Sequence, residues 1–596
     1  MSVIDVTEFY SKRVELFSGE LGKVEKKIRE ISLLRLGSLL LSGAGLYVGF
    51  KGTPTGFICA AGLFFAFLYF IKRHSIAFLE KRRIEELLLL NKKEVAFQRG
   101  DKSVFDPGLD FDTSKHLYAL DLDIFGIGSL FQSVSRSATL SGKHLLAGSL
   151  LNPLTHEDEI VRRREAIHDL APDADWRQGF YALGQQTEEK PTDRKQISSW
   201  LQLSEFFEGR AKWKVITVIM TLISAVIILY CIVTAQLLLR LLFAPLIING
   251  LLMIFISNPI KEYFSYFGRK TKQFKKYADL FEHISKRKFS APESVELQQK
   301  CLEASAAFKK LFELSNLADQ RSNMMVASFM NGFFLFDLWI IYRIEGWRKI
   351  HKNSFEQWVD SLVVLDMISS FANFSFNHPD FVDASVKEGK PFIAAKALAH
   401  PLMNTHVSVR NDYEAGVNSR LHVITGSNMA GKSTFIRAVG LNIVLACNGV
   451  PVCATEFSCS VLGIITSIRI TDSLEENASY FKAELNRLTE LKSKLETNSP
   501  FIVLLDEILR GTNSDDKRLG TYSFLLKLKQ YNCVVLLATH DLSIGKLEQE
   551  FPGIAENYCF ESQFSGEGLT FDYKLRRGIS SSTNATFLMR KMGLID

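Results

Sequence analysis

No CxxC pair occurs among the eight cysteines of this 596-residue sequence. Cys447, Cys453 and Cys459 are spaced by six, with no histidine or further cysteine arranged around them as zinc ligands. That pattern excludes a zinc module and reads as small buried thiols of a cytosolic protein kept reduced. An excess of one charge sign is also missing. Lys plus Arg number 71 against 65 Asp plus Glu, a net charge of +6. So small an excess is weak support for an anionic partner, and basic residues flanking membrane spans account for it. No secretory signal is expected at the start, because a long segment rich in Glu and Lys precedes the first apolar stretch and a second stretch follows at once.

Apolar residues are abundant: 47% of the chain, with 46 Phe, against 23% charged. Such a balance suits a soluble protein carrying a few apolar spans. The length exceeds one compact core and points to about two to four domains.

Four stretches stand out. Leu36–Phe50 and Thr55–Ile71 are uncharged and separated by Lys51-Gly52-Thr53-Pro54. Each is short for a span of about 20 residues, with Arg35, Lys72 and Arg73 placed to reach the headgroups. They read as a tight helical hairpin, or alternatively as buried core helices. Val215–Ala235 is 21 residues without a charge, the clearest span, and Leu237–Ile256 follows, interrupted by Arg240, Pro245 and Asn249-Gly250. Basic residues cluster before the first stretch, after the second, before the third and after the fourth; the two turns offer only Lys51 and Arg240. The positive-inside rule predicts both termini and both large soluble segments in the cytoplasm.

The C-terminal third carries chemistry. Leu421-His422-Val423-Ile424 reads as a buried strand, followed by Thr425 and then Gly426-Ser427-Asn428-Met429-Ala430-Gly431-Lys432-Ser433, a G-x-x-x-x-G-K-[ST] loop, with a helix starting at Thr434. Strand, glycine loop and helix in that order form a phosphate cradle. Backbone N–H groups turn inward, the helix N-terminus adds partial positive charge, Lys432 reaches the β- and γ-phosphates, and Ser433 ligates Mg²⁺. Phe501–Leu505 is a second apolar strand, ending in Asp506-Glu507. Asp506 is expected to hold the Mg²⁺ hydration shell and Glu507 to orient or deprotonate the attacking water. A third strand, Cys533–Ala538, ends in Thr539-His540-Asp541, with His540 placed to sense the γ-phosphate or the water. The strand order predicts a mostly parallel sheet with ligands at its carboxyl edge.

These segments resemble the MutS family of DNA mismatch-repair ATPases. Thr425–Thr434 is similar to its TGPNMGGKST loop, with Ser427 for Pro and Ala430 for Gly, and Asp506–Thr512 to its DEIGRGT, with Leu509 for Gly. The resemblance implies an ABC-type P-loop NTPase α/β domain, preceded by an all-α lever and core region carrying the transmembrane helices. It adds Asn411, within Arg410-Asn411-Asp412, beside the adenine. Ser479, in Ser479-Tyr480-Phe481 with Glu484 beyond, is given the γ-phosphate of a partner subunit, hence a homodimer with composite sites. Gly578–Gly593 resembles the helix-turn-helix that closes the dimer. The implied cofactors are ATP and Mg²⁺. Weaker likeness runs over about Leu120–Trp200, and stronger likeness over Val363–Asp596.

The departures matter as much. The first 120 residues hold the hairpin and leave no room for the family's mismatch-reading domain, and the second pair of apolar stretches falls where the family carries its DNA clamp. Lys261–Lys276, basic and interleaved with Tyr263, Phe264, Tyr266, Phe267 and Phe274, suits a membrane interface or a nucleic-acid patch. Lys309-Lys310 reads as a solvated helix face. The expected division is a cytoplasmic helix (1–30), a transmembrane hairpin (31–73), a first lever segment (74–212), a second transmembrane pair (213–258), a second lever segment (259–400) and the ATPase domain (401–596). The implied protein is a multi-pass, membrane-anchored ATPase switch whose partners are the bilayer and a second copy, with DNA possible but no mismatch preference. An ATP-controlled scaffold, or a transporter-like ATPase, is the alternative; the absence of an LSGGQ-like signature speaks against transport.

Overall fold

A computed structural model describes residues 5–113, 116–208, 210–234, 239–267, 270–404, 407–427, 429–469, 480–510, 512–565 and 568–580. The first two helices are far longer than their apolar stretches: α1 spans Val6–Phe50 and α2 spans Thr55–Gln98. At 1.5 Å per residue each is about 67 Å long. The sequence explains the excess. Tyr10, Phe17, Val24, Ile31 and Ser38 recur every seven positions and are buried, and Val14, Leu21 and Ile28 lie between them, packed against the same cluster as Ile84, Leu87 and Leu88. A 3–4 alternation of this kind makes an antiparallel coiled coil. The expected boundary at residue 30 therefore falls inside one continuous helix.

Small residues replace the large ones at the hairpin tip. A Cβ on Gly56 would lie 2.5 Å from the Gly49 nitrogen, and one on Gly45 would lie 3.1 Å from the Ala60 nitrogen. Close backbone approach through Gly-x-x-x-Gly spacing is a packing mode of helices in lipid. Leu40, Phe50, Ile58 and Phe65 point outward there.

Helices α3 (Ala211–Val233) and α4 (Leu239–Phe267) are the second apolar pair. The interruption read at Pro245 and Asn249-Gly250 does not occur; α4 runs through both and through Pro259. A second difference lies further on, where α5 (Met324–Phe334) and α6 (Phe336–His351) are bent by 83° at Leu335, a non-glycine residue at φ 48°. Five helices among the described residues are long and apolar enough to cross a membrane. One of them, α7 (Phe355–Asn377), has 78% of that stretch buried and forms the axis of the helical core.

The hairpin is fastened to α7 by a buried polar network. The Glu94 carboxylate accepts from Arg136 Nε at 2.6 Å and from Asn373 at 3.1 Å, and Tyr10 donates to Asn377 at 2.7 Å. Tyr263, Phe264 and Phe274 are buried in the helical core, and the Lys276 ammonium lies 3.6 Å from Glu189. Those aromatics form neither an exposed nucleic-acid patch nor an interfacial belt; Tyr266 and Phe267 lie outside the described side chains. Lys309 and Lys310 are exposed, as expected.

Among the described residues ten strands follow: β1 (Ser385–Lys387), β2 (Ile393–Leu398), β3 (Asn411–Ala415), β4 (Leu421–Thr425) and β5 (Glu456–Ser460), then β6 (Gly463–Ser467), β7 (Phe501–Asp506), β8 (Cys533–Thr539), β9 (Ala555–Ser565) and β10 (Gly568–Arg577). They form a four-stranded sheet in the order β1-β5-β2-β3 and a six-stranded sheet in the order β10-β9-β4-β8-β7-β6. In the larger sheet only the β9–β10 pairing is antiparallel. Its strands β4 and β8 are buried at every position, as continuous apolar runs in a covered parallel sheet must be. The helical region reaches this sheet through residues 117–123. The Leu117 carbonyl accepts from Thr466 N at 3.0 Å, and Asp121 accepts from the backbone of Ile468 and Arg469.

Candidate functional site

Register brings the sequence motifs together. Thr425 at the end of β4 pairs with Thr539 of β8, and Ala538 of β8 pairs with Asp506 of β7. The glycine loop, the acidic pair and His540 thus leave three adjacent parallel strands at one level of the carboxyl edge, where open α/β sheets place their ligands.

The loop is shaped by two glycines in backbone conformations that other residues rarely adopt. Gly426 adopts φ 147°, and a Cβ there would lie 2.6 Å from the Phe560 carbonyl oxygen; Gly431 adopts φ 100° and caps helix α8 (Lys432–Ala446). The first turn of α8 aims its free N–H groups and the positive end of its dipole back at the loop. Lys432 is buried, and its Nζ donates to the carbonyls of Gly426 and Ser427 at 2.7 and 2.8 Å, inside the loop's concavity. Burial holds its pKa below the ordinary lysine value, against the attraction of Glu507 and Asp506. Ser433 Oγ donates to Asp506 Oδ2 at 2.5 Å. Burial pushes the Asp506 carboxyl above its ordinary value, partly offset by that hydrogen bond. Ala430 is buried, whereas Met429 projects outward and Thr434 is exposed; Asn428 lies outside the described residues.

Glu507 follows on the same loop at φ 50°. One carboxylate oxygen lies 3.3 Å from His540 Nδ1 and the other 3.6 Å from Arg510 Nε. The backbone beyond is held by Glu484, on helix α9 (Tyr480–Leu495), which accepts from the N–H groups of Leu509 and Arg510. Leu509 has φ 60°, a left-handed position where the resemblance expected Gly.

The Asn411 side chain is tied to β10. Its amide nitrogen donates to the Tyr573 carbonyl at 3.1 Å and its oxygen accepts from Leu575 N at 2.8 Å, so both ends are engaged by β10. Its place beside the loop is indirect, through Tyr573. The Tyr573 ring reaches within 3.1 Å of where a Gly431 Cβ would stand, at a register shift in β10. No sequence motif marked Tyr573, because the shift that turns its ring to the loop is a tertiary feature. Ser479, and all but the first three residues of Gly578–Gly593, lie outside the described residues.

The residues fit Mg²⁺ and a nucleotide triphosphate. The Ser427 hydroxyl is a buried oxygen without a hydrogen-bond partner inside the loop. Among the described residues no group of three or more His, Cys, Asp or Glu side chains forms an all-protein metal cage. The donor set is therefore Ser433 and Asp506, a sparse hard-oxygen pair of the kind Mg²⁺ uses when phosphates and waters complete its shell.

The described geometry agrees with sequence comparison. Residues 422–591 match the family model for MutS domain V. The DNA mismatch repair protein MutS of Thermotoga petrophila is 31% identical over 255 residues, covering 42% of this chain and 31% of that protein. MutS protein homolog 4 of Homo sapiens is 30% identical over 241 residues, covering 38% and 24%. Endonuclease MutS2 of Thermomicrobium roseum is 29% identical over 249 residues, covering 40% and 31%. The match with these relatives spans about a third of their length or less.

Proposed function

We propose that this chain, which belongs to the MutS family through its C-terminal domain, is a membrane-anchored, Mg²⁺-dependent ATPase whose nucleotide cycle switches a homodimer. One observation carries the chemistry: Lys432, the Ser433–Asp506 hydrogen bond and the Glu507–His540 contact converge at one edge of the sheet. Lys432 and the loop N–H groups bind and neutralise the phosphates. Ser433 and Asp506 hold Mg²⁺, which supplies charge neutralisation at the transferred phosphate. Glu507 orients a water and takes its proton, and His540 fixes the carboxylate's direction. Tyr573 offers its ring as a stacking face for the base. Glu484 keeps the acidic loop in place. Ser479 is assigned to the neighbouring subunit's site, so the unit of activity is the dimer, with 401–596 as its ATPase domain.

Membrane attachment rests on the exposed apolar faces of α1–α2 and α3–α4, with the ATPase domain on the cytoplasmic side. DNA is the partner that the relatives' names suggest. Contact of the phosphate-binding kind is the form this chain supports, because the described residues ahead of the helical core form the α1–α2 hairpin. A pure scaffold is disfavoured by the intact Asp506-Glu507 pair, the carboxylates that phosphate transfer to water calls on.

The test is Mg²⁺-dependent phosphate release by the full chain in liposomes, alone and with homoduplex or a single G·T heteroduplex. Turnover abolished by chelation, and at most equally stimulated by the two duplexes, is expected. A rate no higher than that of Lys432→Ala refutes the ATPase. A tenfold preference for the heteroduplex, about 1.4 kcal/mol, refutes the absence of mismatch reading.

A further inference from the structure

Four short spans leave the bent pair α5–α6 without an account. Its exposed face is apolar: Met324 and Met325 are 83% and 82% exposed, and Phe329 is 56% exposed. Such side chains on a helix tip are unusual where water is the neighbour. The C-terminal end of α5 is more informative. A helix end leaves carbonyls without intrahelical partners, and in hydrocarbon each must be satisfied by protein. The Gly332 carbonyl accepts from Asn249 Nδ2 of α4 at 2.8 Å, and the Phe334 carbonyl accepts from Thr221 Oγ1 of α3 at 3.1 Å. Thr221 in turn accepts from Trp339 Nε1 of α6 at 3.0 Å. Asn249 is fully buried. The α5 backbone approaches α4 closely at Gly332, where a Cβ would lie 2.9 Å from Leu246 Cδ1.

Position along the spans gives the depth. Thr221 is seven residues beyond Lys214, about 10 Å along α3. Asn249 is twelve residues before Lys261, about 18 Å along α4. Lys214 lies over the rings of Phe207 and Tyr342, and Lys with Tyr is the composition of a membrane–water boundary. The two bonded carbonyls therefore lie well inside that boundary, on the apolar side. Thr221 and Asn249, polar side chains within the apolar runs of α3 and α4, are used to end a helix at that depth.

We infer that α5 and the first turns of α6 form a fifth intramembrane element, a broken helix seated on α3 and α4, with Met324, Met325 and Phe329 facing lipid acyl chains. The inference rests on the membrane reading of α3 and α4, and the surface it assigns is continuous with theirs. The Arg321–Asp337 ion pair, at 2.8 Å, with the guanidinium 3.8 Å from the centre of the Phe264 ring, ties the two arms of the bend to the end of α4.

The experiment uses full-length protein reconstituted in phosphatidylcholine–phosphatidylglycerol vesicles. Cys59, the exposed one of the eight thiols, is replaced by serine. Met325→Cys, Phe329→Cys, Val226→Cys on α3 and Leu109→Cys on the soluble face are each labelled with an environment-sensitive fluorophore, and quenching by bromine-labelled acyl chains is read. Quenching at 325 and 329 of at least half that at 226, with none at 109, is expected. Quenching at 226 without quenching at 325 and 329 overturns the inference and leaves the membrane reading standing. Protection at 325 and 329 without quenching, together with cross-linking between copies, overturns it in favour of a protein interface. No quenching at 226 overturns the membrane reading itself.

Discussion

Replacing Glu507 by Gln changes one charge and almost no shape, at the residue given the water. The substitution keeps the backbone at φ 50° under the same constraint, and a Gln side chain can still meet His540, now 3.3 Å from the carboxylate. What it loses is the ability to take a proton. A positioned general base contributes roughly 10²–10⁴ in rate, about 3–5 kcal/mol of barrier, so hydrolysis should fall by that factor. Binding should move the other way. Glu507 is among the charges attracting Lys432, and it repels a polyanion entering the loop. Removing it frees Lys432 for phosphate, so nucleotide affinity should stay within about threefold or tighten. The assay pairs single-turnover phosphate release with titration by a fluorescent nucleotide, and a thermal melt establishes that the variant is folded. Turnover within about threefold of wild type would show that Glu507 is not the base. Affinity weakened about tenfold with an unchanged melt would make it a binding residue instead.

Lys432→Ala should weaken nucleotide binding at least about 100-fold, since it removes the buried ammonium from the phosphate cradle; equilibrium titration checks it, and retained affinity would mean that the loop N–H groups suffice. Leu509→Gly should relieve roughly 1–2 kcal/mol of left-handed strain but give up a buried side chain worth about 2–5 kcal/mol, a net loss in melting stability. A Cβ at Gly520 would lie 2.6 Å from Leu509 Cδ1, so Gly520→Ala should be better tolerated in Leu509→Gly than in the wild type, a coupling that additive melting shifts would refute. The pH profile of kcat/KM for ATP should be narrowed from both sides. Asp506 must be ionised to hold Mg²⁺, and its raised pKa moves the acid loss upward. Lys432 must be protonated, and its lowered pKa moves the alkaline loss downward. Ser433→Ala removes the hydrogen bond that lowers the Asp506 pKa, and should push the acid limb higher still; an acid limb at the ordinary aspartate value of about 3.9 would refute the assignment.

The nucleotide site was legible in the sequence because its chemistry is local. A glycine loop must precede a lysine and a hydroxyl residue by fixed spacing, and a buried parallel strand must be apolar throughout, so β4, β7 and β8 with Lys432, Ser433, Asp506 and Glu507 declared themselves. The heptad run from Tyr10 to Ser38 was equally written in the chain, although the apolar tip drew attention away from it. What needed the folded molecule were contacts between residues far apart in sequence. Glu484 became the clamp of the acidic loop only because α9 lies over Leu509 and Arg510. Asn411 proved to be tied to β10, its amide bridging the backbone of Tyr573 and Leu575. Pro245 did not break α4, and the apolar character of α5 is masked in the sequence because Asn331 and Gly332 within it, and Asp337 just beyond it, interrupt the run. Hydropathy sums residues along one chain; the satisfaction of the carbonyls of Gly332 and Phe334 by Asn249 and Thr221 is a property of three helices packed together.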